Sequence, residues 1–201
     1  MLDPDPTPIT EGTYAVPAGH LAVVVHHLTC TTPLPPRKKP KGLVLRREKR
    51  MYPNVYRELF RMVGRDWLWT SRLMIEDDAL LKILLDPGVA IFTLHSDDGP
   101  MGMVELDIGD PTYPEISFFG LVPAAMGQGV GGWLMSHVLQ TLFDGGAEKV
   151  RLNTCTLDSP QALRFYLRVG FKAERREVRV FPDPRAVGLL DEDAAPFVPR
   201  L

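Results

Sequence analysis

Between Glu115 and Phe143 the chain passes from an apolar strand through a glycine turn into a helix, and this passage constrains the fold more than any other. Glu115-Ile-Ser-Phe-Phe-Gly-Leu121 reads as the strand, and Val122-Pro123 ends it. Gly127, Gly129, Gly131 and Gly132 then open a helix that runs to Phe143. Glycines let the turn take positive φ and let a ligand approach the backbone. The first N–H groups of a helix have no partner within it, and the helix dipole adds partial positive charge there. Such a turn receives a phosphate or pyrophosphate without any basic side chain.

The flanking segments set the architecture. Val89 to Leu94, Gly102 to Ile108 and Ile116 to Val122 are strand-like runs, separated by Asp97-Asp98-Gly99 and Gly109-Asp110-Pro111. Turns this short join antiparallel strands. The glycine-led helix stops at Asp144-Gly145-Gly146. A strand (Val150 to Cys155), a helix (Pro160 to Val169) and a strand (Phe171 to Val180) follow. A meander leading into β-α-β-α-β makes a mixed sheet covered by helices.

Upstream, His20 to Cys30 is rich in β-branched residues and reads as a strand. Tyr56, Leu59, Phe60 and Val63 recur at helical spacing after Pro53, with Gly64 as a stop. Asp77 and Asp78 suit the cap of a short helix from Ala79 to Leu85. Thr32 to Lys41, with four prolines and four basic residues, reads as an exposed loop. The expected organisation is an irregular segment over 1–18, one domain over 19–180 and a Pro-rich tail over 181–201.

A chain of 201 residues holds one domain with a real core. A formal charge of −2 gives no pull toward nucleic acid or anionic membrane. The longest apolar runs, such as Leu21 to Val25, are too short to span a bilayer. The acidic, proline-broken N-terminus does not read as a signal peptide. Cys30 and Cys155 are far apart and form no secreted disulfide pattern, so a reduced, cytoplasmic protein is expected. No metal is expected either. His26 and His27 point to opposite faces of a strand, and no further ligand has suitable spacing.

Three phosphate ligands compete for the glycine turn. A P-loop requires Lys and Ser/Thr after the last glycine, but Gly132 is followed by Trp133-Leu134. Gly127, Gly129 and Gly132 spell a dinucleotide fingerprint. Its ribose-binding acid should close the next strand, whereas Glu148 precedes that strand, and an antiparallel meander is a wrong lead-in.

The third ligand follows from a resemblance. Leu121-Val122-Pro123, then Met126-Gly127-Gln128-Gly129-Val130-Gly131, is similar to the first signature of the GNAT superfamily of acyl-CoA N-acyltransferases. That signature is aliphatic-x-Pro followed by (Arg/Gln)-x-x-Gly-x-(Gly/Ala), with Met126 here in the Arg/Gln place. Asp158-Ser159, Ala162, Tyr166 and Gly170-Phe171 resemble the second signature, Asn-x-x-Ala-x-x-x-Tyr-x-x-x-Gly-Phe, with Asp158-Ser159 in the asparagine place. The likeness runs from about Tyr52 to Val180.

The resemblance implies an α/β (α+β) fold: a mixed, mostly antiparallel central sheet, splayed at its middle strands and flanked by helices. It implies transfer of an acetyl or acyl group from acetyl-CoA to an amine, by direct attack in a ternary complex. The acceptor would be a small molecule or a peptide, and a homodimer is left open. Leu121, Val122, Gly127, Gln128, Gly129, Val130, Gly131, Gly132 and Ser159 would hold the cofactor. A backbone N–H at Leu121-Val122 would polarise the thioester carbonyl. Gly120 beside it marks a bulge or a close backbone approach. Tyr166 aligns with the tyrosine that faces the leaving sulfur.

Glu115 aligns with a glutamate base, and Glu105 is its rival. A regular strand places Glu115 roughly 20 Å from Leu121, so the base role requires a bend or a water chain. Trp67, Trp69 and Arg72, with Tyr52 and Tyr56, fall in the variable acceptor region. Met126 and Asp158-Ser159 keep a non-catalytic, acyl-CoA-sensing module as the alternative.

Overall fold

The computed structural model describes residues 8–200; residues 1–7 of the N-terminal segment and Leu201 lie outside the described residues. The chain forms strands β1 (His20–Cys30) and β2 (Val44–Glu48), then helices α1 (Pro53–Gly64) and α2 (Asp77–Leu85). The meander β3 (Val89–Ser96), β4 (Gly99–Asp107) and β5 (Glu115–Leu121) follows. Helix α3 (Val130–Asp144), β6 (Val150–Cys155), α4 (Ala162–Arg168) and β7 (Lys172–Pro182) complete the order. One seven-stranded sheet results, in the order β2-β3-β4-β5-β6-β1-β7. Every neighbouring pair is antiparallel except β5 and β6.

Alternation along the strands divides the core between two faces. On β4, Val104 and Leu106 meet Leu134, Val138 and Leu139 of α3 on one face. Met103 meets Tyr56, Phe60 and Leu80 of α1 and α2 on the other. Burying such a side chain contributes about 1.5–3 kcal/mol, so the two layers hold the sheet from both sides. Helix α3 is buried on most of its circumference, which fits its central place.

Four features add to the sequence reading or differ from it. Strand β1 lies between β6 and β7, pairing Val25 with Cys155 and also with Glu177. Strand β2, short, charged and mostly exposed, adds an edge that periodicity did not mark. Gly64 ends α1 with φ −102°, not in the left-handed region. A Cβ there would lie 2.6 Å from Trp69, so close packing requires the glycine. Asp77 and Asp78 sit inside the first turn of α2, where they favour the helix dipole, and Glu76 holds the cap position.

Beyond β7 the tail packs onto the sheet. Leu190, Ala194 and Ala195 cover Val23, Val25, Leu68 and Leu157. Asp183 and Arg185 pair at 2.7 Å, almost wholly buried. Arg185 also donates to the carbonyls of Ala194 and Val198. Cys30 and Cys155 are free thiols at opposite ends of the β1–β6 ladder.

Candidate active site

The parallel seam closes over only two pairs, Glu115 with Arg151 and Ile116 with Leu152. On the other edge of β5, Glu105 faces Phe118 and Leu106 faces Ile116, which leaves Ser117 opposite nothing. Ser117 is thus a β-bulge, and a bulge bends its strand and sharpens the twist. Strands β5 and β6 part there. The gap is a cavity of about 890 Å³, bounded by Ser117 to Leu121, by Leu152 to Cys155, by the glycine turn and by α4.

The bulge falls at Ser117, not at Gly120. Gly120 answers to packing: a Cβ would lie 2.3 Å from Val63 Cγ1 and 2.9 Å from Trp69. The Val122 N–H donates to the Met101 carbonyl at 2.9 Å. An antiparallel ladder alternates its bonded pairs, so the N–H groups of Phe119 and Leu121 face the gap. Of the two expected positions, Leu121 carries the open donor.

Gly127 and Gly129 take φ +75° and +78°. No heavy atom lies within 4 Å of where a Cβ would stand on either, so the turn presents bare backbone. Gly129 caps α3 without a side-chain bond, and the first turn holds no acid. The Trp133 N–H bonds the Gly129 carbonyl, leaving the N–H groups of Val130, Gly131 and Gly132 without helical partners. These residues fit a pyrophosphate. Gln128 turns away and donates to the Ala124 carbonyl, and the Val130 side chain is buried in the core.

At the α4 end, Ser159 lines the cavity and accepts from the Gln161 N–H at 3.4 Å. Asp158 bonds back to β6, accepting from the Thr154 hydroxyl at 2.7 Å and the Cys155 N–H at 2.9 Å. It is the one carboxylate among the described residues that line the cavity. Tyr166 lines the cavity too, with its ring against Phe119, Phe165 and Phe171. Burial pushes its hydroxyl pKa well up, and the Asp158 charge adds to the rise.

Glu115 lies in the closed part of the seam, outside the cavity lining, and accepts from Asn153 Nδ2 at 3.4 Å. Asn153 itself lines the cavity. Glu105 is fully buried between the Tyr56 hydroxyl and Arg72 Nη2, the latter at 2.6 Å. Arg72 therefore reaches the cavity only through Phe118, whose ring centre lies 5.3 Å from its guanidinium carbon. Tyr52 is exposed.

Trp67 and Trp69 both line the cavity. Leu68 between them holds φ +53°, a conformation that costs a non-glycine residue about 1–2 kcal/mol. The reversal turns both indoles inward. The Trp67 ring meets Phe197 of the tail with centroids 5.5 Å apart and planes tilted by 47°. Sequence reasoning missed Val23, Val25, Arg179 and Phe181, which complete this wall. Val23 and Val25 arrive on the inserted β1 and Arg179 and Phe181 on β7 beside it, an order that no local pattern announces. It also missed Arg37, whose signal was a run of basic residues with no acid.

A mostly antiparallel sheet, split at a parallel seam above a glycine turn, is the architecture of an acyl-CoA-dependent transferase. Residues 52–171 match the acetyltransferase (GNAT) family, and the chain belongs to it. Among curated proteins it is similar to an uncharacterized N-acetyltransferase of Mycobacterium tuberculosis, 38% identical over 91 residues. That match covers 45% of this chain and 58% of the relative, so the chain spans little more than half of that protein's length. Among solved structures it resembles a GCN5-related N-acetyltransferase from Kribbella flavida, with a TM-score of 0.52 and 18% identity over 83% of this chain and 60% of that one. A GNAT acetyltransferase from Elizabethkingia anophelis with acetyl-CoA bound gives a TM-score of 0.51 and 16% identity, covering 68% of this chain and 80% of that one. Both likenesses are of fold. Among the described residues no helix is long and apolar enough to cross a membrane.

Proposed function

We propose that the protein transfers an acetyl or acyl group from acetyl-CoA to an amine, by direct attack in a ternary complex. The carrying observation is the cavity itself. It joins a bare glycine turn to an aromatic wall, with Tyr166 and the free strand edge in between. Acetyl-CoA supplies the activated acyl group. The N–H groups of Val130, Gly131 and Gly132 receive its pyrophosphate, and Ser159 lies along the path of the arm. The Leu121 N–H serves as the oxyanion donor.

Tyr166 donates its hydrogen bond to the developing thiolate. Its raised pKa keeps the proton in place across the neutral range, so donation depends on charge appearing at sulfur. Asp158 faces the cavity and takes the amine proton. Glu115 acts from behind, as a positioning residue that orients the Asn153 amide. Trp67 and Trp69, with Val23, Val25 and Phe181, form an apolar wall for an aromatic or aliphatic amine. Arg72 stiffens that wall through Phe118.

The test is release of CoA thiol from acetyl-CoA across a panel of amines. Aromatic and aliphatic amines should support release above the hydrolytic background. A chain that binds CoA but releases none with any amine is the sensing module, the reading that Met126 and Asp158-Ser159 favour.

A further inference from the structure

The segment from Thr32 to Lys41 is not a free loop. Ser136 Oγ donates to the Pro35 carbonyl at 2.7 Å and Gln140 Nε2 to the Leu34 carbonyl at 3.1 Å, so two side chains of α3 hold it. Leu34 packs against the core beside them. Four prolines limit its backbone freedom. The segment lies outside the stretch that matches the family.

What it carries is positive charge. Arg37 lines the main cavity and lies over the first turn of α3, where a Cβ on Gly132 would come 2.6 Å from its Nη1. Arg37, Lys38, Lys39 and Lys41 also line a second hollow of about 430 Å³, with Gln128, Gly129 and Trp133. Among the described residues no carboxylate lines this hollow. Among the described residues none of the four cations forms an ion pair or hydrogen bond. Four like charges gathered against the open N-terminus of α3 repel one another, and a bound anion relieves that repulsion. Met126, at the head of the turn, supplies no charge of its own.

We propose that this strap is a phosphate clamp for CoA. Arg37 engages the pyrophosphate, and Lys38, Lys39 and Lys41 engage the 3′-phosphate of its adenosine. The proposal rests on the reading of the cavity as an acyl-CoA site. It gives the chain a preference for CoA over dephospho-CoA, which lacks only the 3′-phosphate.

Calorimetric titration of the full chain with CoA and with dephospho-CoA tests this without reference to turnover. The wild type should bind CoA about 10–100-fold tighter, and the margin should shrink with added salt. Replacing Lys38, Lys39 and Lys41 together by Ser should bring CoA down to the affinity of dephospho-CoA and leave the latter unchanged. Arg37→Gln should weaken both ligands alike. All four side chains are exposed, and an unchanged Tm verifies that the fold survives. Equal affinities in the wild type, or a preference that outlasts the triple substitution, overturn the clamp while the CoA site stands. A wild type that binds neither ligand overturns both.

Discussion

Ile116 and Leu152 are the last residues of β5 and β6 to face each other across the parallel seam. One residue later, Ser117 stands opposite nothing on β4, and the strands part. The cavity thus begins where pairing on both edges of β5 is interrupted. The open edge beyond it carries the Phe119 and Leu121 donors, and the glycine turn lies at its end. One irregularity in one strand therefore lays out both the space and the hydrogen bonds of the site.

Tyr166→Phe should lower turnover by about 10²-fold and leave CoA affinity nearly unchanged, because the hydroxyl meets charge only as the thiolate forms. Steady-state rates beside binding isotherms separate the two effects. Equal rates, with the chemical step shown to limit turnover, would return Tyr166 to a packing role.

The three carboxylates should separate by pH. An alkyl amine has a pKa near 10.4 and is mostly protonated at neutral pH. Asp158→Asn should therefore depress the rate at neutral pH and recover in part at high pH, where the free amine is abundant. Glu115→Gln should raise KM more than it lowers kcat. Glu105→Gln should act mainly on stability, by about 3 kcal/mol, the low end for a buried pair because Arg72 is partly exposed. If Glu115→Gln shows the pH-dependent loss and Asp158→Asn does not, the roles are reversed.

Gly120→Ala should disturb the acceptor wall. The added methyl meets Val63 and Trp69 well inside contact distance, and overpacking of this kind costs about 1–3 kcal/mol. We expect a lower Tm and a higher KM for the amine, with little change for acetyl-CoA. An unaltered amine KM would detach Trp69 from acceptor binding.

The tail pair should show in acid. The Arg185 hydrogen bonds hold the Asp183 carboxyl below its usual pKa. A depressed folded-state value contributes stability above the unfolded value near 3.9, and that contribution is lost as pH falls through the folded one. Tm should thus be insensitive to this pair from pH 7 to 5 and should fall below about pH 4. Asp183→Asn should lower Tm at pH 7 and flatten the acid limb. Melting curves against pH decide it.

Much of this was legible in sequence because it is local, except the splay of the middle strands, which only the resemblance implied. The meander, the glycine turn and the α4 signature are each written in neighbouring residues, and so the mixed sheet and its open turn followed. What stayed hidden is non-local. His20 to Cys30 reads as a strand anywhere, but its place between β6 and β7 depends on pairing across more than a hundred residues. Arg179 and Phe181 line the cavity from β7, on the far side of that strand. Alignment with a family glutamate marked Glu115, yet whether a strand-start carboxylate faces a cavity depends on where the seam closes. Thr32 to Lys41 reads as an exposed loop and its basic residues are exposed, but the bonds from Ser136 and Gln140 that tie the segment to α3 are non-local.

Titration of CoA into the wild type and into Gly131→Glu decides whether the glycine turn holds the pyrophosphate. A Cβ at Gly131 makes only ordinary contacts, 3.5 Å from Leu121 and 3.9 Å from Phe165. An acid in the first turn of a helix is favourable, so the variant should fold normally. Its carboxylate would stand where the pyrophosphate sits. One CoA should bind per chain, with affinity falling by about 100-fold or more in the variant, or about 2.7 kcal/mol. Unchanged CoA affinity in a folded Gly131→Glu, or tighter binding of NAD than of CoA, would contradict CoA binding at this turn.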